Sequence, residues 1–212
     1  SRLRLAQTTQ FIKINIGDKM INPLKLGFIG LGIMGAPMAM HLVNAGHHVF
    51  LNTRSKTPAE LANSKAVQCA SPKEVAQNAD IIFTMVPDTP DVEKVLFGEN
   101  GVATGLSKGK VVVDMSSISP IATKEFAKKI NALGCEYLDA PVSGGQVGAK
   151  NATLSIMVGG SESTFEKVKP LFALIGTGVI TLTLLNCIGV LLLSGLSVSV
   201  LVMITALSKA VK

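Results

Sequence analysis

Lys25-Leu26-Gly27-Phe28-Ile29-Gly30-Leu31-Gly32-Ile33-Met34-Gly35 is the stretch whose reading decides the fold. Three glycines at Gly-x-Gly-x-x-Gly spacing follow an apolar strand pattern and open a helical one. Gly30 permits the tight turn out of the strand, and Gly32 lets the backbone come close to a pyrophosphate. Gly35 lets the helix pack against the strand. The start of that helix offers unpaired N–H groups and a positive dipole end to phosphate oxygens. The expected cofactor-binding backbone is therefore Gly30, Leu31, Gly32, Ile33, Met34 and Gly35. A glycine turn with a purely structural task is the plainer alternative.

Working outward, the chain alternates strand-like and helix-like patterns through residues 23–175. Apolar runs at 24–30, 48–52, 81–86, 111–115, 137–138 and 153–158 read as strands. Helical patterns fill 34–45, 72–78, 91–96, 119–133 and 161–174. Ser71 before Pro72, and Ser119 before Pro120, give two of these helices capping signals. Short uncharged strands alternating with helices predict an α/β fold of Rossmann type. Its doubly wound, mostly parallel sheet should be covered on both faces. Aromatic residues are only 4% of the chain against 48% hydrophobic, so Val, Ile, Leu, Ala and Met must build the core.

The end of the second strand reads cofactor choice. An acid there would bond the ribose 2′-hydroxyl of NAD, but residues 52–56 are Asn-Thr-Arg-Ser-Lys and the next acid is Glu60. Arg54, backed by Thr53 and Ser55, suits a 2′-phosphate through charge-assisted hydrogen bonds. NADP(H) is thus favoured, with NAD(H) as the alternative and a solvated basic turn as the plainer reading. Met85, Val86 and Pro87 close the next strand where the sheet's carboxyl edge should meet the cofactor; Asp88 has the ordinary alternative of capping the following helix. Two more runs, Asp114-Met-Ser116-Ser117-Ile-Ser-Pro120 and Asp139-Ala-Pro-Val-Ser143-Gly144-Gly145, sit at strand ends. The second is rich in small residues whose exposed N–H groups can wrap a carboxylate. Both also read as plain turns.

Composition removes other classes. The net charge of +6 sits at the chain ends: residues 26–169 hold 13 basic and 13 acidic side chains. A nucleic-acid reader needs its basic face on the folded domain, so no nucleic-acid partner is expected. Cys69, Cys135 and Cys187 are far apart and odd in number, which suits reduced structural thiols in a cytoplasmic protein. His41, His47 and His48 have no acidic or Cys partners at ligand spacing, and no metal site is expected. Residues 1–22 are basic, begin without Met and read as a leader or an upstream extension.

The glycine run, the 114–120 run and the 139–145 run, in this order and spacing, resemble the β-hydroxyacid dehydrogenase family over residues 24–174. Asp-Ala-Pro-Val-Ser-Gly-Gly is its specific signature. The stretches at 97–101, 114–120 and 148–160 look most like the tartronate semialdehyde reductase branch, with the 3-hydroxyisobutyrate dehydrogenases as the close rival. The resemblance implies that Ser143, Gly144 and Gly145 bind the substrate carboxylate. It also implies that Ser117 lies beside nicotinamide and substrate, and that the reaction is reversible hydride transfer between NAD(P)H and a small semialdehyde or hydroxy acid. Family members commonly form homo-oligomers through a second, all-helical domain.

One departure concerns the proton donor. The family places a Lys in a Gly-x-x-x-Lys-x-x-x-Asn run at the head of that second domain. In this chain the matching region, 178–195, has Asn186 but no Lys, and position 182 is Leu. No catalytic residue is therefore assigned. Residues 176–212 read as an apolar tail, leaving only a remnant of the helical domain. A shifted reading frame after about Ile175 is the favoured account. A membrane tail and a divergent, non-catalytic NADP-binding module are the alternatives, with the membrane the weakest.

Overall fold

The computed structural model describes residues 22–182. The expectations placed on 1–21 and 183–212, including Cys187, Asn186, the helical remnant and the membrane alternative, lie outside the described residues. Nine strands make one sheet: β1 (Lys25–Ile29), β2 (His48–Asn52), β3 (Val67–Gln68), β4 (Ile81–Thr84), β5 (Val111–Asp114), β6 (Glu136–Asp139), β7 (Val142–Ser143), β8 (Leu154–Gly159) and β9 (Gly176–Leu182). Their order is β3-β2-β1-β4-β5-β6-β8-β7, with β9 paired to β8. The helices are α1 (Gly35–Asn44), α2 (Ala59–Ala62), α3 (Pro72–Asn78), α4 (Thr89–Phe97), α5 (Pro120–Ala132), α6 (Gly145–Lys150) and α7 (Glu162–Ile175).

From β3 through β6 every pairing is parallel. The chain leaves β1 toward β2 and β3, then returns to lay β4 on the other side of β1. That reversal opens a crevice at the carboxyl ends of β1 and β4, where open α/β sheets place their ligands. The direction changes past β6. β8 runs antiparallel to β6 and β7 in one unbroken register, from Asp139↔Gly159 to Ser143↔Ser155. Residues 176–182, which the sequence reading sets at the head of the apolar tail, form β9 and pair with β8 in parallel.

Alternation along the buried strands explains the two layers. Phe28, Phe83, Val113 and Leu138 point to one face and pack with Met38 and Leu42 of α1 and Phe172 of α7. Ile82, Val112 and Tyr137 point to the other and meet Val75, Leu96, Phe126 and Ile130. Phe83 stacks on Phe28 at 6.0 Å and meets Phe172 edge-on at 6.5 Å, so three of the few aromatics tie two strands to α7. Burying each such ring stabilises the fold by about 2–3 kcal/mol.

Ser71 caps α3 as expected, its hydroxyl accepting from the Glu74 N–H at 3.2 Å. Ser119 does not cap α5: its side chain makes no cap bond, and its own N–H donates to Thr89 Oγ1 at 3.1 Å. Pro120, with no N–H to satisfy, begins α5 without that help. The sequence reading passes over α2, β3, β7 and α6, which span two to six residues each. Elements that short carry no periodicity to read.

Candidate functional site

The crevice at the β1/β4 reversal holds a cleft of about 470 Å³. Its floor is the turn between β1 and α1. Gly30 has φ +95°, a left-handed conformation that glycine adopts without strain, and a side chain there would strike the Met85 carbonyl. The turn is pinned by the Gly30 N–H donating to Asn52 O at 3.0 Å and the Ala36 N–H donating to Gly32 O at 3.0 Å. Gly35 has no room either, because a Cβ would meet the Gly30 carbonyl oxygen and the Phe28 ring. Gly32 is the opposite case, since a Cβ there would meet nothing within 4 Å. Its missing side chain leaves space that faces the cleft.

Above that space stands the start of α1. Its N-cap is Met34, whose side chain makes no capping hydrogen bond, and no acid lies in the first turn. The leading N–H groups are thus uncommitted to side chains and carry the helix's partial positive charge. This donor set fits a pyrophosphate. Every residue the sequence reading assigned to the cofactor lines the cleft: Gly30 to Gly35, Thr53 to Ser55, Met85 to Pro87, and Ser117. Ile29 and Asn52 line it too and were missed. Each is the last residue of its strand, a position that points at the crevice in any sheet of this topology.

Arg54, which lines the cleft, does not stand free. Its Nη1 donates to Asp91 Oδ1 at 2.6 Å and its Nη2 to Asp91 Oδ2 at 3.4 Å. Thr53 Oγ1 and Ser55 Oγ are 3.4 Å apart beside it. Asp88 takes the ordinary role, its carboxylate accepting from the Asp91 N–H to cap α4.

A buried polar network supports the rim. Asp114, fully buried at the end of β5, accepts from the hydroxyl of Thr84 at 2.8 Å, the N–H of Ser116 at 3.1 Å and the hydroxyl of Tyr137 at 3.2 Å. Ser116 Oγ in turn accepts from the Val86 N–H at 3.0 Å, so one carboxyl orders the loops after β4 and β5 together. Burial raises the Asp114 pKa and the hydrogen bonds oppose that rise. Burial, and then the charge of Asp114, push Asp139 up to about 7 and hold the Tyr137 hydroxyl far above its usual range. The sequence does carry a signal for this network: Thr84 and Asp114 are polar residues closing two otherwise apolar strands.

Ser143, Gly144 and Gly145 are not among the residues lining the cleft. Ser143 lies on β7 opposite Ser155, and the two glycines turn into α6 with φ +131° and +60°. His47 is buried, its Nδ1 accepting from the Leu24 N–H at 3.2 Å, and burial lowers its pKa. Cys69 and Cys135 are buried free thiols, and burial pushes Cys69 up to about 11, far from a reactive thiolate. Among the described residues, no three His, Cys, Asp or Glu side chains group as metal ligands, and no helix is long and apolar enough to cross a membrane.

The sequence profile of the NAD binding domain of 6-phosphogluconate dehydrogenase matches residues 25–189. The chain is 58% identical to 2-hydroxy-3-oxopropionate reductase of Escherichia coli (strain K12) over 156 residues, 74% of this chain and 53% of that protein. The 3-hydroxyisobutyrate dehydrogenase of Mycobacterium tuberculosis, solved with L-serine, superposes with a TM-score of 0.71 at 32% identity. That match covers 76% of this chain and 55% of the other. Psf3 in complex with NADP+ superposes with a TM-score of 0.70 at 26% identity, over 74% of this chain and 56% of that one. The chain spans about half the length of the curated relatives it matches.

Proposed function

This chain belongs to the oxidoreductase family whose cofactor-binding domain is that of 6-phosphogluconate dehydrogenase and the β-hydroxyacid dehydrogenases, and from that premise we propose that it binds NADP(H) in preference to NAD(H) and serves the reversible reduction of tartronate semialdehyde to D-glycerate. The 58% identity to a 2-hydroxy-3-oxopropionate reductase carries the substrate choice.

The chain's own residues take separate tasks. The backbone of Gly30 to Gly35 holds the pyrophosphate, using the space at Gly32 and the open start of α1. Thr53, Arg54 and Ser55 hold the adenosine ribose and its 2′-phosphate. Met85, Val86 and Pro87 support the cofactor from the sheet edge, and Asp114 fixes that loop through Ser116. Ser117, which lines the cleft, is proposed to lie beside nicotinamide and substrate. When bound, the cofactor supplies the hydride. Ser143, Gly144 and Gly145 are proposed to take the substrate carboxylate, which extends the site beyond the cleft. No residue is assigned as proton donor. The buried, free Cys69 and Cys135 suit a reducing, cytoplasmic setting.

A second reading is favoured by the lack of any Lys between Lys169 and Lys209: a module that binds NADP(H) without turnover. One experiment separates the readings. NADPH binding is followed by fluorescence, and NADPH oxidation is followed with tartronate semialdehyde and with the aldehyde of 3-hydroxyisobutyrate. Turnover preferring the first aldehyde supports the reductase, and preference for the second selects the dehydrogenase rival. Binding without turnover on either selects the module. Failure to bind NADPH ends the cofactor reading altogether.

A further inference from the structure

The residues ending β2 contain no acid, yet a carboxylate meets Arg54, which lines the cleft. It comes from α4, 37 residues further along the chain, where Asp91 engages both Nη atoms of Arg54. Asp91 is a fixed partner. Its own N–H donates to the Asp88 carboxylate in the capped first turn of the helix, and its side chain is 20% exposed against 70% for Arg54. The guanidinium that suits a 2′-phosphate is thereby neutralised, and two of its five N–H donors are in use.

We propose that Asp91 is a specificity-determining residue for the cofactor, acting through Arg54 to lower the preference for a 2′-phosphate. This rests on the reading that the cleft takes a nicotinamide dinucleotide. A dianionic phosphate arriving at Arg54 meets a neutral ion pair instead of a free cation, and it must share the fork with a carboxylate or displace it. Both effects weaken NADP(H) and leave NAD(H), which has only a hydroxyl at that position, nearly untouched. Arg54 is exposed and its pairing is screened by salt, so the effect is moderate.

The test measures dissociation constants of NADP+ and NAD+ by titration calorimetry on the full chain and its variants. Asp91→Asn is expected to tighten NADP+ by about three- to ten-fold, with NAD+ changed by less than about two-fold. Asp91→Ala should shift the ratio the same way, and Asp91→Glu should keep the parent ratio. Arg54→Ala should weaken NADP+ by about ten-fold or more, and Asp91→Asn added to it should raise the NADP+ preference less than it does in the parent. Lost helix packing would move both cofactors together, so the ratio isolates the proposed role. An unchanged or lowered preference for NADP+ in both Asp91→Asn and Asp91→Ala overturns the assignment of Asp91 while leaving the cofactor reading in place. A parent chain that binds neither dinucleotide overturns both.

Discussion

Two glycine-rich turns follow strand ends in this fold, one after β1 and one after β7, and their surroundings differ. The first is wedged into the parallel half of the sheet. Gly30 lies against the Met85 carbonyl and Gly35 against the Gly30 carbonyl, with only Gly32 facing open space. The second lies where the sheet has turned antiparallel. A Cβ at Gly144 would sit 3.2 Å from Leu154 Cδ2, and one at Gly145 would meet nothing within 4 Å. Small residues in the first turn answer to backbone packed on backbone, which cannot give way. In the second they answer mainly to left-handed torsions and one flexible side chain.

That contrast is open to attack by substitution. Gly35→Val should have the largest effect, since relieving the clash means lifting α1 from β1. A loss of at least about 3 kcal/mol in denaturant unfolding is expected, with NADPH fluorescence enhancement abolished. A variant that unfolds like the parent would break the comparison at its base.

β6, which precedes β7 and the second turn, supplies a pH test. Asp139 titrates near 3.9 in an unfolded chain and is pushed up to about 7 in the fold, first by burial and then by Asp114. The folded state therefore holds this proton more tightly. The associated stability is complete below about pH 4 and is lost as pH rises toward and through 7, with a slope of up to about 1.4 kcal/mol per unit. Urea melts from pH 4 to 8 should show the parent losing stability relative to Asp139→Asn over that range. Parallel curves would mean that water reaches the end of β6.

Gly144→Ala comes next, because φ +131° strains any L side chain and Leu154 must shift. About 1–3 kcal/mol should be lost, with NADPH affinity within two-fold of the parent. Gly145→Ala is the mildest, at about 1 kcal/mol for its φ of +60° in open surroundings. If both alanine variants weaken NADPH as Gly35→Val does, the second turn is coupled to the cleft, and the division drawn between the two turns is wrong.

Most of the parallel half was legible in the sequence because its signals are local. An apolar run, a Gly-x-Gly-x-x-Gly turn and a helical pattern lie within a few residues of one another, and the cleft lining at 30–35, 53–55 and 85–87 follows from that order. The capping of α3 by Ser71 was local in the same way. Ser119 and Pro120 marked the start of α5 correctly, but the Ser119 side chain makes no capping hydrogen bond there.

What the sequence determined by itself is the strand–helix alternation, the glycine turn that opens α1 and the basic end of β2, each written in adjacent residues. Tertiary structure alone decided what those residues meet. Asp91 reaches Arg54 across 37 positions, Tyr137 reaches Asp114 across 23, and β8 reverses against β6 and β7. Partnerships of this kind depend on which strand ends the sheet order brings side by side, and no periodicity records that. Burial then completes the difference, since a carboxyl such as Asp139 acquires an unusual pKa only once the fold has removed its water.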